Sequence, residues 1–414
     1  MKRRDLFKAA AAAAWGPLLA QPGTAAARAD VAMPLSEKFP RLKAPETERA
    51  VVQLTWGAAQ CYPLYYYVPT ITRDNRYLVY HRAADGELQL YRLDLRTAES
   101  VRLTHATAAD TQWRPWCIDS GRGVLDHRSS LNVPHGLAVY FDGRQARAVD
   151  VETLDDAPLF ELPADREAYG RTCCTPDGRW LVYIHVPAGS IWGEPCEGAA
   201  VAAYHFDTGR QQTLCRIDAA VFHVTAYDDA HFVVTHPADG PGMMLTDFTR
   251  GRCDLLRDGV VHCPCTARGI AYEVPDERRL GLRDPLAGSW FEFSMPEFFQ
   301  YLHTGWDPQG KVFFYENSTD WDRFDVHDMY ALVRFDREEN HQWRRLTGNW
   351  PTYLGGQKAH FHPQLTPDRR WILFTGGDPQ SETCHVFLLD ASDLAESGIA
   401  RDLLSPTGAN DLIT

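Results

Sequence analysis

A short pattern, a polar turn followed by alternating apolar residues, recurs along the chain. Each copy begins with Asp, Pro or Gly residues, which favour turns, and continues into β-branched and aromatic residues, which favour strands. The clear copies are TRDNRYLVY (72–80), TPDGRWLVY (175–183), YDDAHFVVT (227–235), DPQGKVFFY (307–315) and TPDRRWILF (366–374). Weaker copies are IDSGRGVLD (118–126) and TARGIAYEV (266–274). Long helical periodicity does not occur, so the pattern predicts an all-β protein.

The spacing of the copies predicts seven similar units, about 40–60 residues apart, as expected of a repeat architecture. Several units continue into a third strand and then an outer strand. Seven four-stranded units are typical of a seven-bladed β-propeller, which we expect to form a single domain over residues 31–414. The segment ERAVVQLTWG (48–57) resembles the outer strands of later units. We therefore expect this N-terminal strand to complete the last blade and close the ring.

Residues 1–30 have the composition of a signal peptide rather than of a folded segment. Arg3 and Arg4 precede an apolar run over 9–20, and small residues follow at 25–29. The start RRDLFK resembles a twin-arginine signal, so we expect a periplasmic or secreted protein. An amphipathic or membrane-anchoring helix is the alternative. No later apolar run approaches the ~18 residues of a spanning helix, so we expect no stable membrane insertion after signal removal.

The net charge and the cysteine content limit which partners and which kind of scaffold we expect for this protein. The net charge of −13 argues against a nucleic-acid partner, whose phosphates would be repelled. An anionic small substrate would need local positive charge from a metal, Arg or His. The ten cysteines include no CxxC pair, which leaves one or two disulfides open without predicting a disulfide-stapled scaffold.

Polar side chains align at one position when the repeats are placed in register. Counting back six residues from the turn gives a polar residue in six of the seven units: His362, His303, His262, His223, Arg171 and Arg114. The first unit has Val68 there. This position belongs to the innermost strand of a blade, and side chains at equivalent positions point the same way. The register predicts a ring of histidines and arginines around the propeller axis.

The last unit opens with QKAHFH (357–362), in which His360 and His362 share parity and point to the same side. Gln357 has the opposite parity and would reach the site from a loop. Imidazole nitrogens and an amide oxygen suit a divalent ion such as Mn, Fe, Ni or Zn, and His303 would complete four ligands. The alternative is a set of hydrogen-bonded channel residues around water.

A seven-bladed propeller with this motif resembles the oligogalacturonate lyase family. The likeness follows the blade order over most of the chain, and it is sharp in QKAHFHPQLTPD (357–368). The resemblance implies a manganese ion bound by Gln357, His360, His362 and His303. It also implies that His262 is the general base in β-elimination from a uronic-acid oligosaccharide.

The implied chemistry suits these groups. A divalent ion neutralises the uronate carboxylate, and a neutral imidazole is a competent base. In VVHCPCTA (260–267), Cys263 and Cys265 alternate to the face opposite His262, which argues against a His-Cys-Cys zinc site. A hydrogen-bonded structural histidine remains the alternative role for His262.

The chain also departs from the family. The family has a substrate-binding arginine late in blade four, whereas 235–248 contains none. Arg114 or Arg171 would supply the positive charge, and His223 and His236 are further candidates near the site. The family is usually cytoplasmic, so an export signal indicates an altered or longer uronide.

Two other function classes remain open from the sequence. The TPDGRWLVY type of repeat also resembles the exported propeller of TolB-type proteins, which are non-enzymatic binding modules. A metal-dependent hydrolase or oxidoreductase would use the same scaffold. Against a glycosidase, no paired carboxylates occupy the channel position.

Overall fold

The repeated turn-and-strand units fold as hairpins, each in a separate antiparallel sheet. The computed structural model describes residues 32–109, 121–125, 128–191, 194–219, 221–235, 242–296, 303–306, 312–318, 326–337, 340–351, 360–378, 380–394 and 398–399. Over these ranges the strands form seven sheets, which are the blades of the predicted seven-bladed β-propeller. The predicted signal peptide lies outside the described residues. Among those described, no helix has the length and apolar character needed to cross a membrane.

The first half of the chain supplies two N-terminal strands and blades one to three. The N-terminal strands are β1 (Arg41–Lys43) and β2 (Ala50–Gln53). Blade one has β3 (Gln60–Pro63), β4 (Tyr77–Ala84), β5 (Glu87–Asp94) and β6 (Glu99–Arg102), with β7 (Arg122–Gly123) beside β5. Blade two has β8 (Ser130–Asn132), β9 (Leu137–Asp142), β10 (Gln145–Asp150) and β11 (Asp156–Glu161). Blade three has β12 (Arg166–Cys174), β13 (Trp180–Pro187), β14 (Ala199–His205) and β15 (Gln211–Ile217).

The second half supplies blades four to seven. Blade four has β16 (His223–Ala226), β17 (His231–Thr235), β18 (Met243–Asp247) and β19 (Asp254–Arg257). Blade five has β20 (Cys265–Thr266), β21 (Gly269–Val274), β22 (Arg279–Arg283) and β23 (Trp290–Ser294). Blade six has β24 (Thr304–Trp306), β25 (Phe313–Ser318), β26 (Val326–Arg337) and β27 (Asn340–Pro351), with β31 (Gly398–Ile399) beside β26. Blade seven has β28 (Gln364–Leu365), β29 (Trp371–Asp378) and β30 (Thr383–Asp390), and a 3-10 turn follows at Ser392–Leu394.

Blade seven is built from both ends of the described chain. Strand β2 pairs antiparallel with β30, with Val51 opposite Leu389, and β1 pairs with the free edge of β2. Both Val51 and Leu389 are buried. Detaching the N-terminal strands from blade seven would therefore expose apolar surface and break backbone hydrogen bonds.

The apolar positions of the repeats pack between neighbouring blades. At the boundary of blades six and seven, Phe314 belongs to the same buried cluster as Phe374 and Phe387. Trp350 lies edge-on to both Phe374 and Phe387, with ring centroids 5.2 Å apart in each case. Since the apolar residues fill the space between blades, the polar residues at the start of each innermost strand are left to face the axis.

Blade two differs from the sequence prediction, because IDSGRGVLD (118–126) does not form its first hairpin. Strand β7 in this segment runs parallel to β5 of blade one, where Gly123 has a φ of 119° and its Cα lies against the backbone of Leu88. A side chain at Gly123 would clash there, so this glycine permits close parallel pairing with β5 rather than a hairpin turn. The first hairpin of blade two instead joins β8 to β9.

The register of blade two changes accordingly. Counted back from Pro134 in the β8–β9 turn, the channel position falls on Arg128 and not on Arg114. Arg128 is 1% exposed and is among the largest fully buried side chains. Arg114 lies outside the described residues, and the hairpin from which it was inferred is wrong.

Candidate metal centre and general base

Three of the four predicted metal ligands lie together where the innermost strands of blades six and seven begin. The candidate ligand nitrogens of His303, His360 and His362 all lie within 4.8 Å of one another, and all three residues are buried. The Nδ1 atoms of His303 and His360 are 3.0 Å apart, and the Nε2 atoms of His303 and His362 are 3.3 Å apart. Gln357, the fourth predicted ligand, lies outside the described residues.

A break in the strand ladder directs His362 into this cluster. The Thr375 amide donates to the Phe361 carbonyl at 2.9 Å, and the regular pairing resumes at Gln364 opposite Leu373. His362 lies between these two points with a φ of 46°, in the left-handed region that residues other than glycine seldom adopt. Such backbone strain persists where the surrounding structure imposes it, and it is concentrated at functional sites.

Blade five has a similar break in its strand ladder at His262, the predicted general base. Val261 bridges Glu273, and the Ala271 amide donates to the Pro264 carbonyl at 3.0 Å. Between these contacts His262 has a φ of 51°. The two histidines therefore leave their strands in the same way, although they belong to different blades.

A buried carboxylate that the sequence reasoning missed supports the cluster. Glu316, in β25, accepts hydrogen bonds from the amides of Phe361 at 2.7 Å and His362 at 3.2 Å. Its oxygens also lie 2.8 Å from Nδ1 of His327 and 3.3 Å from Nδ1 of His303. An ionised carboxylate only accepts, so a His303 hydrogen bond to it places the proton on Nδ1 and leaves a lone pair on Nε2, which faces His362.

Burial sets the charge of these groups. Desolvation, together with the nearby His262 and Arg171, holds the pKa of His303 well below its ordinary value. Burial likewise lowers the pKa of His360 well below the usual range, although Glu316 opposes the shift. For Glu316 burial acts to raise the pKa, but the hydrogen bond from His327 and the neighbouring imidazoles bring it below the ordinary value. At neutral pH the Glu316 carboxylate thus lies beside the neutral imidazoles of His303 and His360.

The donor set fits a divalent transition metal. Neutral imidazoles offer lone pairs, and the buried Glu316 carboxylate leaves a negative charge for a cation to compensate. With metal–nitrogen bonds of about 2.1 Å, neighbouring ligand atoms on one ion lie roughly 3.0–3.4 Å apart. The separation of 3.3 Å between the Nε2 atoms of His303 and His362 lies in this range.

His262 lies at the edge of the cluster. Its ring centroid is 4.3 Å from that of His303, and its Nδ1 atom is 3.7 Å from Oε1 of Glu273. Glu273 is completely buried, and this burial raises its pKa, an effect that His262 partly offsets. The arrangement places an imidazole with a carboxylate behind it directly beside the candidate metal site.

Arg171 and His223, predicted to contact substrate, touch each other across the boundary of blades three and four. The Arg171 Nε donates to Nδ1 of His223 at 3.0 Å, and both residues are buried. The pairing of β12 with β13 shifts register at this point, and Gly170 has a φ of 62° against the Phe222 carbonyl. This bulge inserts two extra residues between Tyr169 and Cys173, so Arg171 leaves the regular ladder beside His223.

Blade one contributes three tyrosines where the register predicted only Val68. Pro63 pairs with Tyr80 and the Thr70 carbonyl accepts from Val79, so residues 64–69 leave the ladder. Within this excursion Tyr65 lies against His223 and His362, with ring centroids 5.4 and 5.1 Å apart, and the Arg171 guanidinium lies over its ring. Val68 itself packs in the apolar core.

The second tyrosine of this excursion contacts the three-histidine cluster directly. The Tyr66 ring centroid is 5.4 Å from that of His303 and 5.3 Å from that of His362, to which it is nearly parallel. Side chains alternate along a strand, so three consecutive tyrosines cannot all point to the same side of a regular strand. This run of tyrosines was the signal in the sequence that could have revealed them. For the buried carboxylates, the signal was a Tyr-Glu pair repeated in the second strands of blades five and six, at Glu273 and Glu316. His236 lies outside the described residues.

The comparisons with known proteins agree with this geometry. No protein-family profile matches the chain. A curated oligogalacturonate lyase of Dickeya dadantii (strain 3937) is 26% identical over 210 residues, 50% of each chain. A solved structure of an oligogalacturonate lyase in complex with manganese superposes with a TM-score of 0.69 at 20% identity, covering 87% of this chain and 98% of the other. The chain is similar to oligogalacturonate lyases in sequence over half of its length and in fold over most of it.

A second solved oligogalacturonate lyase, from Vibrio parahaemolyticus, superposes with a TM-score of 0.68 at 19% identity over 86% of this chain and 97% of the other. The structural matches extend along nearly the whole propeller, while the sequence match spans half the length of the curated relative. The resemblance inferred from residues 357–368 is confirmed.

Proposed function

We propose that this protein is a metal-dependent lyase that cleaves 4-linked uronides by β-elimination and releases 4,5-unsaturated products. The observation that carries the proposal is the position of His262, 4.3 Å in ring-centroid distance from a histidine of the three-histidine cluster. Sequence and fold similarity to oligogalacturonate lyases supports the same reaction class. An oligosaccharide containing uronic acid is the proposed substrate.

The proposed reaction uses His262 as the base. Its neutral imidazole removes the proton on C5, α to the C6 carboxylate, and the electron pair forms the C4=C5 double bond. The C4–O bond breaks, and the departing oxygen accepts a proton. A divalent ion, proposed to be manganese and held by His303, His360 and His362 with Gln357, would supply positive charge for the uronate carboxylate and the enolate-like transition state.

The buried carboxylates prepare these side chains for the reaction. Glu316 orients His303 and fixes the backbone at His362, so the candidate ligand nitrogens of these two residues are held close together. Glu273 lies behind Nδ1 of His262, where it stabilises the imidazolium that forms when the proton is taken. The same pairing keeps the opposite ring nitrogen available as the acceptor.

Arg171 is proposed to bind a substrate carboxylate, with His223 beside it. The chain has no arginine in 235–248, where the family has its substrate-binding one. A guanidinium recognises a carboxylate with two parallel hydrogen bonds, and blade three brings one to the edge of the same site. That Arg114 contacts the substrate remains a prediction.

We also propose that the protein is exported through the twin-arginine pathway and acts in the periplasm or outside the cell. The support is the sequence of residues 1–30 alone. A folded, metal-loaded propeller suits a pathway that carries folded proteins.

A panel assay tests the proposed activity. Metal-loaded protein is incubated with oligogalacturonates and other uronate oligosaccharides, and the ultraviolet absorbance of the conjugated double bond is followed. We expect the absorbance to rise with one uronide class and to stop after chelation of the metal. New reducing ends without absorbance would identify a hydrolase, and no cleavage of any uronide would favour the non-enzymatic, TolB-type binding module.

A further inference from the structure

Two cysteine sulfurs meet at the boundary of blades three and four, away from the polar axis. The Sγ atoms of Cys215 and Cys253 are 2.7 Å apart. Cys215 belongs to β15, the outermost strand of blade three, and Cys253 lies just before β19, the outermost strand of blade four. Two unbonded sulfur atoms repel at this separation, whereas a disulfide brings them to about 2.05 Å.

We propose that Cys215 and Cys253 form a disulfide that joins blade three to blade four. In the reaction each thiol loses its proton, a sulfur–sulfur bond forms, and two electrons pass to an oxidant. The oxidant is a disulfide, either of a thiol–disulfide oxidoreductase or of oxidised glutathione, and it is reduced to two thiols. Cys253 is partly exposed and offers the point of attack, while Cys215 is 2% exposed.

Other described cysteines have different surroundings. Cys196 lies 3.3 Å from the Ser190 hydroxyl, and Cys174 accepts a hydrogen bond from Ser130. Cys263 is completely buried within an apolar cluster. These thiols contact hydroxyls or hydrocarbon, which is typical of cysteine used as a small buried residue.

The cross-link would act on the scaffold and not on the chemistry. It joins residues 38 positions apart in the sequence, so it restricts the unfolded chain. It also fastens two neighbouring blades whose other contacts are non-covalent. Stable disulfides belong to oxidising compartments, which agrees with the predicted export signal but does not depend on the proposed lyase activity.

Peptide mapping tests the proposal. The full chain, exported and purified without reductant, is incubated with a glutathione redox buffer, alkylated in denaturant and digested. We expect one linked peptide pair containing Cys215 and Cys253, which separates on reduction. The Cys215→Ser variant should lack this pair, and the Cys196→Ser variant, altered in the same blade, should retain it. Complete alkylation of both thiols in the oxidised wild type would overturn the proposal, as would their linkage to other cysteines.

A thermal measurement gives a second readout. Reductant should lower the melting temperature of the wild type and of Cys196→Ser by roughly 3–8 °C, because the unfolded chain regains freedom. It should leave the Cys215→Ser/Cys253→Ser double variant unchanged. Equal effects of reductant on the wild type and the double variant would count against the cross-link. If the double variant does not fold, the mapping of the wild type decides by itself.

Discussion

Oε1 of Glu316, in blade six, lies 2.7 Å from the backbone nitrogen of Phe361, in blade seven. The same carboxylate reaches His303 and the amide of His362, so a single side chain joins members of the three-histidine cluster across a blade boundary. We expect Glu316→Gln to weaken metal binding by roughly 10–100-fold, since the neutral amide supports the ligand histidines less well. Titration calorimetry measures the change. Glu292→Gln, at a buried carboxylate paired with Arg257, is the control and should keep wild-type affinity.

Metal binding should depend on the histidines of blade seven. We expect His360→Ala and His362→Ala to lose bound metal in elemental analysis while the β-sheet circular dichroism is unchanged, because these side chains lie at the axis and not in the apolar core. His385→Ala removes a buried histidine from the same blade that bonds Thr55 instead. That variant should retain metal. Full occupancy in a His360→Ala/His362→Ala protein would contradict the site.

Turnover should depend on His262. We expect His262→Ala and His262→Asn to bind metal and uronide normally but to lose roughly 10²–10⁴-fold in kcat, the usual cost of removing a general base. His223, one blade back at the same register position, is the alternative base. Near-normal turnover in His262→Ala together with an inactive His223→Ala would contradict His262 as the base and assign that role to His223.

Substrate affinity should depend on Arg171. We expect Arg171→Gln to raise KM by roughly 10–100-fold, since a hydrogen bond between charged groups is worth about 1.5–3 kcal/mol. Arg166→Gln is the control. It alters an arginine at the other end of the same strand, whose side chain donates a hydrogen bond to the Gly198 carbonyl. Its KM should stay at the wild-type value. A drop in kcat with an unchanged KM in Arg171→Gln would contradict a binding role.

The metal-free protein should become less stable as pH falls. His303 and His360 have a pKa far below the ordinary histidine value in the folded state, whereas in the unfolded chain they titrate near 6.5. Below about pH 6.5 the unfolded state therefore binds more protons, and the free energy of unfolding decreases. We expect urea unfolding at pH 7.5 and 5.5 to show a smaller decrease for His360→Gln, which cannot titrate. An identical decrease in both proteins would count against a buried, neutral His360.

The sequence was sufficient for the propeller, the order of its blades and most of the histidines at its axis. Turn residues followed by alternating apolar residues specify a hairpin locally, and repetition of that hairpin specifies the number of blades. The register predicted that His303, His360 and His362 lie together with His262 beside them, and the structure brings them together, although His362 and His262 leave the ladders of their strands. The register failed in blade two, where a glycine-rich segment resembled a turn but pairs in parallel with a strand of blade one.

Only the tertiary structure decided what supports these histidines. Glu316 and Glu273 lie in strands where a glutamate resembles a solvent-facing residue, and their burial appears only once the neighbouring blade covers them. Likewise Tyr65 and Tyr66 reach the axis because residues 64–69 leave the ladder of blade one, which alternation does not encode. A sequence pattern records which face a residue prefers within its own strand. Contacts across blade boundaries depend on how the blades pack, and there the protein assembles its candidate metal centre.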